Sequence, residues 1–235
     1  MRRVMLSLIT SFALVTVASG LYIQSVWSPD IPTLLVQRVE ARAAAHGGYV
    51  QLSDIPLFLQ KALIATEDRG FYHNHGIDIE GILRALFVDL MKGRLVEGGS
   101  TITEQLVKDI FLSDQKTIPR KLKQIALAIM VSQALPKNEV LALYLNEVYL
   151  GHGAYGVGQA AKIYFNRSVQ NLTPAECAIL AGLPQAPSLY DPIKHLKFAK
   201  ARQWEVLKSM VSVGFLNMKQ AQQIERAPLY LVTAG

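Results

Sequence analysis

The feature that most constrains this chain is an uncharged segment near its N-terminus. No charged residue occurs from Val4 to Pro29, which is enough for a helix to cross a hydrocarbon core about 30 Å thick. Two arginines precede this segment, and positive charge beside a membrane helix favours the cytoplasmic side. The sequence therefore predicts a transmembrane anchor over residues 1–28, with everything after Asp30 outside the cytoplasm.

A cleaved signal peptide is the alternative interpretation, because Ala18, Ser19 and Gly20 are small residues of the kind found at cleavage sites. The apolar run is longer than the signal-peptide core of about 7–15 residues, which favours the retained anchor. We expect a connector over residues 29–48 and one continuous domain over residues 49–235.

Charge and cysteine content narrow the function classes. The formal net charge is +6, and a basic protein outside the cytoplasm points to anionic lipid or a phosphorylated substrate at the membrane face, not to nucleic acid. The single cysteine, Cys177, excludes an internal disulfide. Its apolar helical surroundings predict a buried structural thiol.

The hydrophobic pattern predicts a mainly α fold. Apolar residues recur at helical spacing over 79–91, a face that either joins the core or dips into the membrane interface. Thr173, Pro174 and Glu176 form the sequence of a capping box that opens a helix. Residues 192–213 predict another long helix, and the modest strand candidates are 49–52 and 229–232.

The first polar block starts at Glu67 and Asp68, where an apolar helical run gives way to a loop. A carboxylate on a rigid support beside a loop is a candidate catalytic group, although such pairs are more often structural. His73 and His75 follow, but no further histidine or cysteine completes a zinc set, so we predict no metal site there.

The second block runs from Glu97 to Gln105 and places two glycines before Ser100 and Thr101. Hydroxyl residues at a helix start fit either an anion-binding site or an ordinary helix cap.

The third block is a basic cluster in which Arg120 and Gln124 lie four residues apart, on one helical face. Such a cluster is commonly a solvated surface, but its position just after a candidate anion site favours phosphate binding. Its basic members are Lys108, Lys116, Arg120, Lys121 and Lys123.

The fourth block contains a formal GxGxxG from Gly151 to Gly156. It follows a helical pattern over 139–150 instead of a strand, which argues against a dinucleotide site and predicts a tight loop between helices.

Together these blocks resemble glycosyltransferase family 51, the peptidoglycan glycosyltransferases. The matching segments are EDRGFYHNHG, GGSTITEQ, the RK of RKLKQ, YLNEVYLGHGAYGVGQAA and LAGLPQAPSLYDP, in family order from about residue 57 to 202. An SxxK at Ser113 lacks its transpeptidase partners, so the resemblance is to the monofunctional type. It implies a lysozyme-like, α-rich fold with a membrane-facing jaw.

The resemblance also implies the chemistry. The substrates are lipid II and the growing glycan strand, and the enzyme sits in the bacterial inner membrane with its catalytic domain outside, beside other cell-wall synthesis proteins. Glu67 matches the general base, and a divalent cation, Mg²⁺ or Mn²⁺, is a candidate assistant. The matching substrate-binding positions are Asp68, Arg69, Ser100, Thr101, Gln105, Lys108, Lys116 and Arg120.

The chain departs from the family pattern at several positions. Gln124 stands where a second functional glutamate is usual, and Glu104 stands where glutamine is usual; Ser132 and Ala142 replace common acidic residues. We treat Gln124 and Glu104 as auxiliary candidates, with Glu104 partly replacing the missing carboxylate. The alternatives to an active polymerase are a lipid II-binding scaffold and a glycan-cleaving enzyme.

Overall fold

The structure is a computed structural model that describes residues 28–79, 81, 99–115 and 117–232. These residues form nine α-helices and two short 3₁₀ turns. In chain order the helices are α1 (Ile31–Ala45), α2 (Leu57–Glu67), α3 (Ile102–Phe111), α4 (Ile118–Ala134), α5 (Lys137–Glu147), α6 (Val157–Phe165), α7 (Pro174–Gly182), α8 (Leu196–Ser212) and α9 (Met218–Arg226). The 3₁₀ turns are Leu52–Asp54 and Val169–Asn171. The predicted mainly α class is confirmed.

The helices pack as two groups around one apolar core. Helix α7 contacts α2 and α8, and α9 lies against α8. Helices α1, α3, α4 and α5 form the second group. The end of α2 and the start of α3 meet where the two groups adjoin, since the Ile102 N–H donates to the Asp68 Oδ2 at 3.0 Å.

The predicted start of α7 is confirmed in detail. Thr173 accepts a hydrogen bond from the backbone N–H of Glu176, and the Glu176 side chain accepts one from the backbone N–H of Thr173. The buried Cys177 thiol lies on this helix, and burial raises its pKa to about 12.

The segment expected to be a connector is instead part of the packed domain. Helix α1 occupies most of residues 29–48, and Leu35, Val39 and Ala43 are buried, with Leu35 and Val39 in the common core. Their spacing of four residues places all three on one face of the helix.

The described residues contain one isolated antiparallel bridge, between Tyr149 and Tyr155, and no strand. The candidate strand at 49–52 does not form, because the backbone N–H and C=O of Val50 bond the Asn146 side chain at 2.7 and 2.9 Å. The candidate strand at 229–232 is not a strand in the structure. Its Val232 N–H donates a backbone hydrogen bond to the Tyr164 carbonyl at 2.9 Å.

The long helix predicted over 192–213 begins later than expected, at Leu196. The Asp191 carboxylate accepts hydrogen bonds from the backbone N–H groups of Ile193 and Lys194, so the preceding residues form a turn.

The predicted tight loop between helices is confirmed after α5, where Gly151, Gly153 and Gly156 all have positive φ.

Two predicted features lie largely outside the described residues: the anchor over 1–28 and the apolar face over 79–91. Among the residues that are described, no helix has the length and apolarity needed to cross a membrane.

Candidate active site

A cleft of about 600 Å³ lies between the two helix groups. Glu67 at the end of α2 and Gln105 on α3 lie side by side in its wall. The cleft is lined by Thr66, Glu67, Asp68, Arg69, Asp78, Gly81, Gly99, Ser100, Thr101, Gln105, Lys108, Pro184, Gln185, Arg202, Glu205 and Ser209. The structure thus brings the first two polar blocks of the sequence to one surface.

Glu67 is held by a short chain of hydrogen bonds. Its Oε2 accepts from the Gln105 Nε2 at 2.9 Å. The buried Tyr144 hydroxyl donates to the Gln105 Oε1 at 3.1 Å, which fixes the amide so that its nitrogen faces the carboxylate. The Oε1 of Glu67 lies 3.9 Å from the Arg202 guanidinium.

This environment favours proton uptake by Glu67. Burial raises the pKa of the Glu67 carboxyl, while the Gln105 hydrogen bond and the charge of Arg202 act in the opposite direction. A carboxylate whose pKa lies above its ordinary value is a stronger base once ionised. The geometry therefore suits a general base that faces an open cleft.

Asp68, the next residue, has its carboxylate committed to the protein. Its Oδ2 accepts from the backbone N–H of Ile102 at 3.0 Å, and both of its oxygens accept from the Asn74 amide. Burial raises the pKa of Asp68 to about 6. Asp68 thus ties the end of α2 to the start of α3. The exposed Arg69 lines the cleft, and its Nε donates to the Ala65 carbonyl at 3.4 Å.

The loop before α3 is a helix cap built against the first polar block. Thr101 and Glu104 form a reciprocal capping box, and the Thr101 hydroxyl donates to the Gly76 carbonyl at 2.7 Å. Gly76 has φ +91°, and a Cβ there would lie 2.4 Å from the Ala128 carbonyl oxygen. The cap interpretation is confirmed, while Ser100 and Thr101 also line the cleft.

The described members of the basic cluster have different partners. Lys108 lines the cleft and pairs with Asp109 at 2.9 Å. Arg120 donates to the Gln124 Oε1 at 3.1 Å. Lys116 lies outside the described residues, so its predicted role stays a prediction.

The auxiliary candidates lie behind the cleft, between α3 and α4. Glu104 is fully buried and accepts from the Lys121 Nζ at 2.6 Å and from the Thr101 N–H at 3.1 Å. Gln124 donates to the Glu104 backbone carbonyl at 2.9 Å. The Glu104 carboxylate is bound inside the protein, and its partner Lys121 also donates to Ser100, a residue of the cleft wall, at 3.1 Å. The auxiliary role of Glu104 stays a prediction.

Sequence reasoning missed two residues that shape the surroundings of Glu67. Arg202 comes from α8, far along the chain, and Tyr144 is a buried aromatic within an apolar helix. Tyr144 is the first residue of the matching segment YLNEVYLGHGAYGVGQAA. This position indicates a role at the site, but it fits a buried core tyrosine equally well. Neither contact is visible without knowing that α5 and α8 approach α2 and α3.

Within the described part of the chain, no group of three or more histidine, cysteine, aspartate or glutamate side chains is arranged to hold a metal ion.

Comparison with known proteins identifies relatives of this chain. A family model described as "Transglycosylase" matches residues 35–211. Penicillin-binding protein 1A of Escherichia coli is 48% identical over 174 residues, covering 74% of this chain and 20% of that protein. Penicillin-binding protein 1A of Aquifex aeolicus is 44% identical, covering 77% of this chain and 25% of that protein.

Penicillin-binding protein 1F of Bacillus subtilis is 44% identical over 172 residues, covering 73% of this chain and 24% of that protein. Among solved structures, penicillin-binding protein 1A of Haemophilus influenzae matches 79% of this chain and 18% of its own length, with 25% identity and a TM-score of 0.48. The chain spans about a fifth to a quarter of the length of the curated relatives named here.

Proposed function

The chain belongs to the transglycosylase family, and from this premise we propose that it polymerises peptidoglycan glycan strands from lipid II. The observation that carries the proposal is Glu67: a carboxylate at the wall of a cleft, held by a neutral amide and with a raised pKa. Such a group can take the proton of an attacking hydroxyl.

The proposed reaction is an inverting transfer. Glu67 removes the proton from the 4-hydroxyl of the acceptor N-acetylglucosamine as that oxygen attacks C1 of the donor N-acetylmuramic acid. The bond from C1 to the pyrophosphate oxygen breaks, the electron pair leaves with undecaprenyl pyrophosphate, and a β-1,4 linkage forms. Glu67 then holds the proton until solvent removes it.

The leaving group needs positive charge more than it needs a proton donor. Lys108 lines the cleft on the α3 side, and the exposed Arg69 lines it beside Glu67. In this proposal both cations stabilise the pyrophosphate, and Lys116 and Arg120 extend the same charge toward the membrane.

We also propose where the protein works. Residues 1–28 anchor it in the inner membrane by a single pass, and the lysozyme-like domain acts on the extracytoplasmic side. Support comes from the uncharged run at the N-terminus. Helix α1 belongs to the domain, so in this proposal the chain passes from anchor to domain at about residue 30. Other cell-wall synthesis proteins are proposed as neighbours.

Incubation of the full chain with labelled lipid II tests the function. A polymer that lysozyme digests is the expected product. Binding without polymer would favour the scaffold alternative, and degradation of preformed glycan would favour the glycan-cleaving alternative.

A further inference from the structure

The Arg202 side chain, which places positive charge beside Glu67, is held by two contacts from the segment 182–190. Its Nε donates to the Gly182 carbonyl at 3.2 Å, and its guanidinium lies over the Tyr190 ring, 5.7 Å from the ring centroid. A Cβ at Gly182 would lie 2.7 Å from the Arg202 Cγ, so the glycine allows this close approach. The guanidinium therefore has the Tyr190 ring and, at 3.9 Å, the Glu67 carboxylate as neighbours.

The Tyr190 ring restricts where the Arg202 guanidinium can lie. An aromatic face attracts a guanidinium electrostatically, and it also blocks the space that the ring occupies. The ion pair with Glu67 is longer than a hydrogen bond, so that pair alone does not fix the long arginine side chain, which loses much rotamer freedom when it is ordered. The ring thus contributes to the positive charge that Glu67 experiences.

Tyr190 is followed by a turn that the buried Asp191 side chain organises. The Asp191 Oδ1 accepts hydrogen bonds from the backbone N–H groups of Ile193 and Lys194 at 2.9 and 3.1 Å. The turn leads into α8, the helix that carries Arg202. Asp191 therefore fixes both the ring that precedes the turn and the start of the helix that follows it.

The second oxygen of Asp191 is bonded to His152, in the loop after α5. The His152 Nε2 lies 2.7 Å from the Asp191 Oδ2. A carboxylate only accepts, so Nε2 carries a proton and the bond forms with a neutral or a charged ring. His152 has φ +50°, which is uncommon outside glycine, and its ring packs edge-on against Tyr164 with centroids 5.6 Å apart. The pair thus joins this loop to the turn before α8.

We propose that Tyr190 is a positioning residue for the reaction: its ring holds the Arg202 guanidinium beside Glu67, and the His152–Asp191 pair fixes the turn that presents the ring. Tyr190 is not itself a lining residue of the cleft, so it acts through Arg202. The inference rests on the proposed function, in which Glu67 is the base, and names residues that control the charge around that base.

The expected consequence is a change in the proton affinity of Glu67. The charge of Arg202 lowers the pKa of the Glu67 carboxyl against the larger, opposite effect of burial. Without the ring the guanidinium spends less time beside the carboxylate, so the pKa of Glu67 should rise. Other described ionisable residues that line the cleft or interact electrostatically with Glu67 stay unchanged in the variants below; they are Asp68, Arg69, Asp78, Lys108, Tyr144 and Glu205.

A direct titration of the Glu67 carboxyl tests the proposal without depending on turnover. The full chain is labelled with ¹³C at its glutamate carboxyl groups, and the Glu67 signal is assigned by its loss in Glu67→Gln. Its titration midpoint is then followed by NMR. Tyr190→Leu is expected to raise the midpoint by about 0.5 in pH, whereas Tyr190→Phe keeps the ring and should leave it within about 0.2 of the parent.

Tyr230 offers a matched control, because it takes part in a similar arrangement elsewhere in the fold. Its ring centroid lies 4.8 Å from the Arg167 guanidinium, and that guanidinium lies 3.9 Å from the Glu176 carboxylate. Tyr230→Leu therefore removes the same kind of contact from a different carboxylate. It should leave the Glu67 midpoint unchanged.

A second comparison asks whether Tyr190 acts through Arg202. Arg202→Met should raise the Glu67 midpoint by about 1 in pH, and Tyr190→Leu should add nothing further on that background, because the group that it positions is gone.

The His152–Asp191 pair is tested by two changes at His152. His152→Ala should raise the Glu67 midpoint by about 0.2–0.4 in pH, and His152→Gln, whose amide can still donate to Asp191, should restore the parent midpoint. Thermal unfolding establishes that each variant is folded at the temperature of the titration. If His152→Ala is not folded, Tyr190→Leu decides the proposal alone.

The proposal is overturned if Tyr190→Leu leaves the Glu67 midpoint in place, if Tyr230→Leu shifts it equally, or if Tyr190→Leu has the same effect with and without Arg202. Equal shifts in His152→Ala and His152→Gln would remove the His152–Asp191 pair from it.

Failure of the proposed function looks different, because the protein then makes no polymer from lipid II, whatever the titration midpoint of Glu67. In the active enzyme, the low-pH limb of kcat/KM should move upward in Tyr190→Leu together with the midpoint. Structural damage alone would lower the plateau of kcat/KM and leave the limb in place.

Discussion

Two glutamates on either side of the α3 N-terminus, Glu67 and Glu104, are both withdrawn from solvent but have opposite surroundings. Within the described residues, Glu67 accepts a hydrogen bond from the neutral Gln105 amide, and its ion-pair partner Arg202 lies 3.9 Å away. Glu104 is bound by an ammonium at 2.6 Å and by a backbone N–H at 3.1 Å. The Glu67 carboxylate faces a cleft and has one loosely held oxygen, 3.9 Å from the Arg202 guanidinium, while the Glu104 carboxylate is enclosed by close donors.

The difference is the one expected between a proposed catalytic base, Glu67, and a structural carboxylate, Glu104. A base must be able to gain a proton, which requires few donors and no tight cation. A carboxylate that organises a loop requires the reverse. Glu104 joins the capping box of α3 to Lys121 on α4, so it holds the loop beside Glu67 and is not itself a lining residue of the cleft.

The largest expected effect comes from removing the base. Glu67→Gln keeps the size of the side chain and its position beside Gln105 but cannot accept the proton of the acceptor hydroxyl. We expect the rate of lipid II polymerisation to fall about 10²- to 10⁴-fold, with unchanged thermal unfolding. Glu205→Gln, a glutamate on the rim of the same cleft, is the control and should lose less than about threefold. Comparable losses in both variants would remove Glu67 from its assigned role.

A large effect on stability is expected where the structural carboxylate loses its cation. Lys121→Met leaves Glu104 buried with a single backbone donor. Removing one partner of a buried pair is costly, but Lys121 is 38% exposed, so we expect a loss of about 1–3 kcal/mol in the free energy of unfolding.

The control for this variant is Lys208→Met, because Lys208 pairs with Glu205 at 2.7 Å on the exposed surface of α8. Exposed pairs contribute little, so we expect a change below about 0.5 kcal/mol. Denaturant unfolding measures both variants. An equal loss in the two would show that burial of Glu104 does not distinguish the pairs.

The first two polar blocks show how much of the site can be predicted from sequence. Glu67 at the end of a helical run and the cap at Thr101 follow from local patterns, and both occupy the cleft. The commitment of Asp68 to the Ile102 N–H cannot be predicted in this way, because it depends on how α2 and α3 pack. The same holds for Tyr144, whose hydroxyl reaches Gln105 only after α5 packs against α3.

In the fold, too, local features are predicted correctly and features that depend on helix packing are not. Helical periodicity and the capping box predict α7 correctly, since both are local properties of the chain. The connector over 29–48 was predicted wrongly, because small and charged residues in α1 hide an apolar face of three widely spaced residues. Whether such a face is buried depends on the helices that it meets.

A smaller effect is expected on the pH dependence of the reaction. The Gln105 hydrogen bond lowers the pKa of Glu67 against the dominant effect of burial. Gln105→Ala removes that bond, so the pKa of Glu67 should rise and the base should be protonated at higher pH. We expect the low-pH limb of kcat/KM to move upward in pH. Gln185→Ala, an exposed amide lining the same cleft, should leave the limb in place, and a downward shift in Gln105→Ala would contradict the assignment.

The smallest expected effect is a coupling between Glu104 and Gln124, where this chain departs from its family. The Gln124 amide donates to the backbone carbonyl of Glu104, and Lys121 precedes Gln124 by three residues on the same helix. Glu104→Gln leaves Lys121 without a carboxylate. Gln124→Glu removes the amide donor and adds a second buried charge. Each single change should therefore destabilise the protein by about 1 kcal/mol or more.

In the double variant Glu104→Gln, Gln124→Glu, the carboxylate has moved to a position from which it can pair with Lys121 or Arg120 along α4. The double variant should therefore be more stable than the sum of the single changes predicts, with a coupling of about 0.5–1.5 kcal/mol. A double-mutant cycle in denaturant measures it, and the polymerisation rate of the double variant should exceed that of Glu104→Gln alone. Strict additivity of the two changes would mean that Lys121 does not respond to the carboxylate at either position. In that case Glu104 could not be regarded as the replacement for a glutamate at position 124.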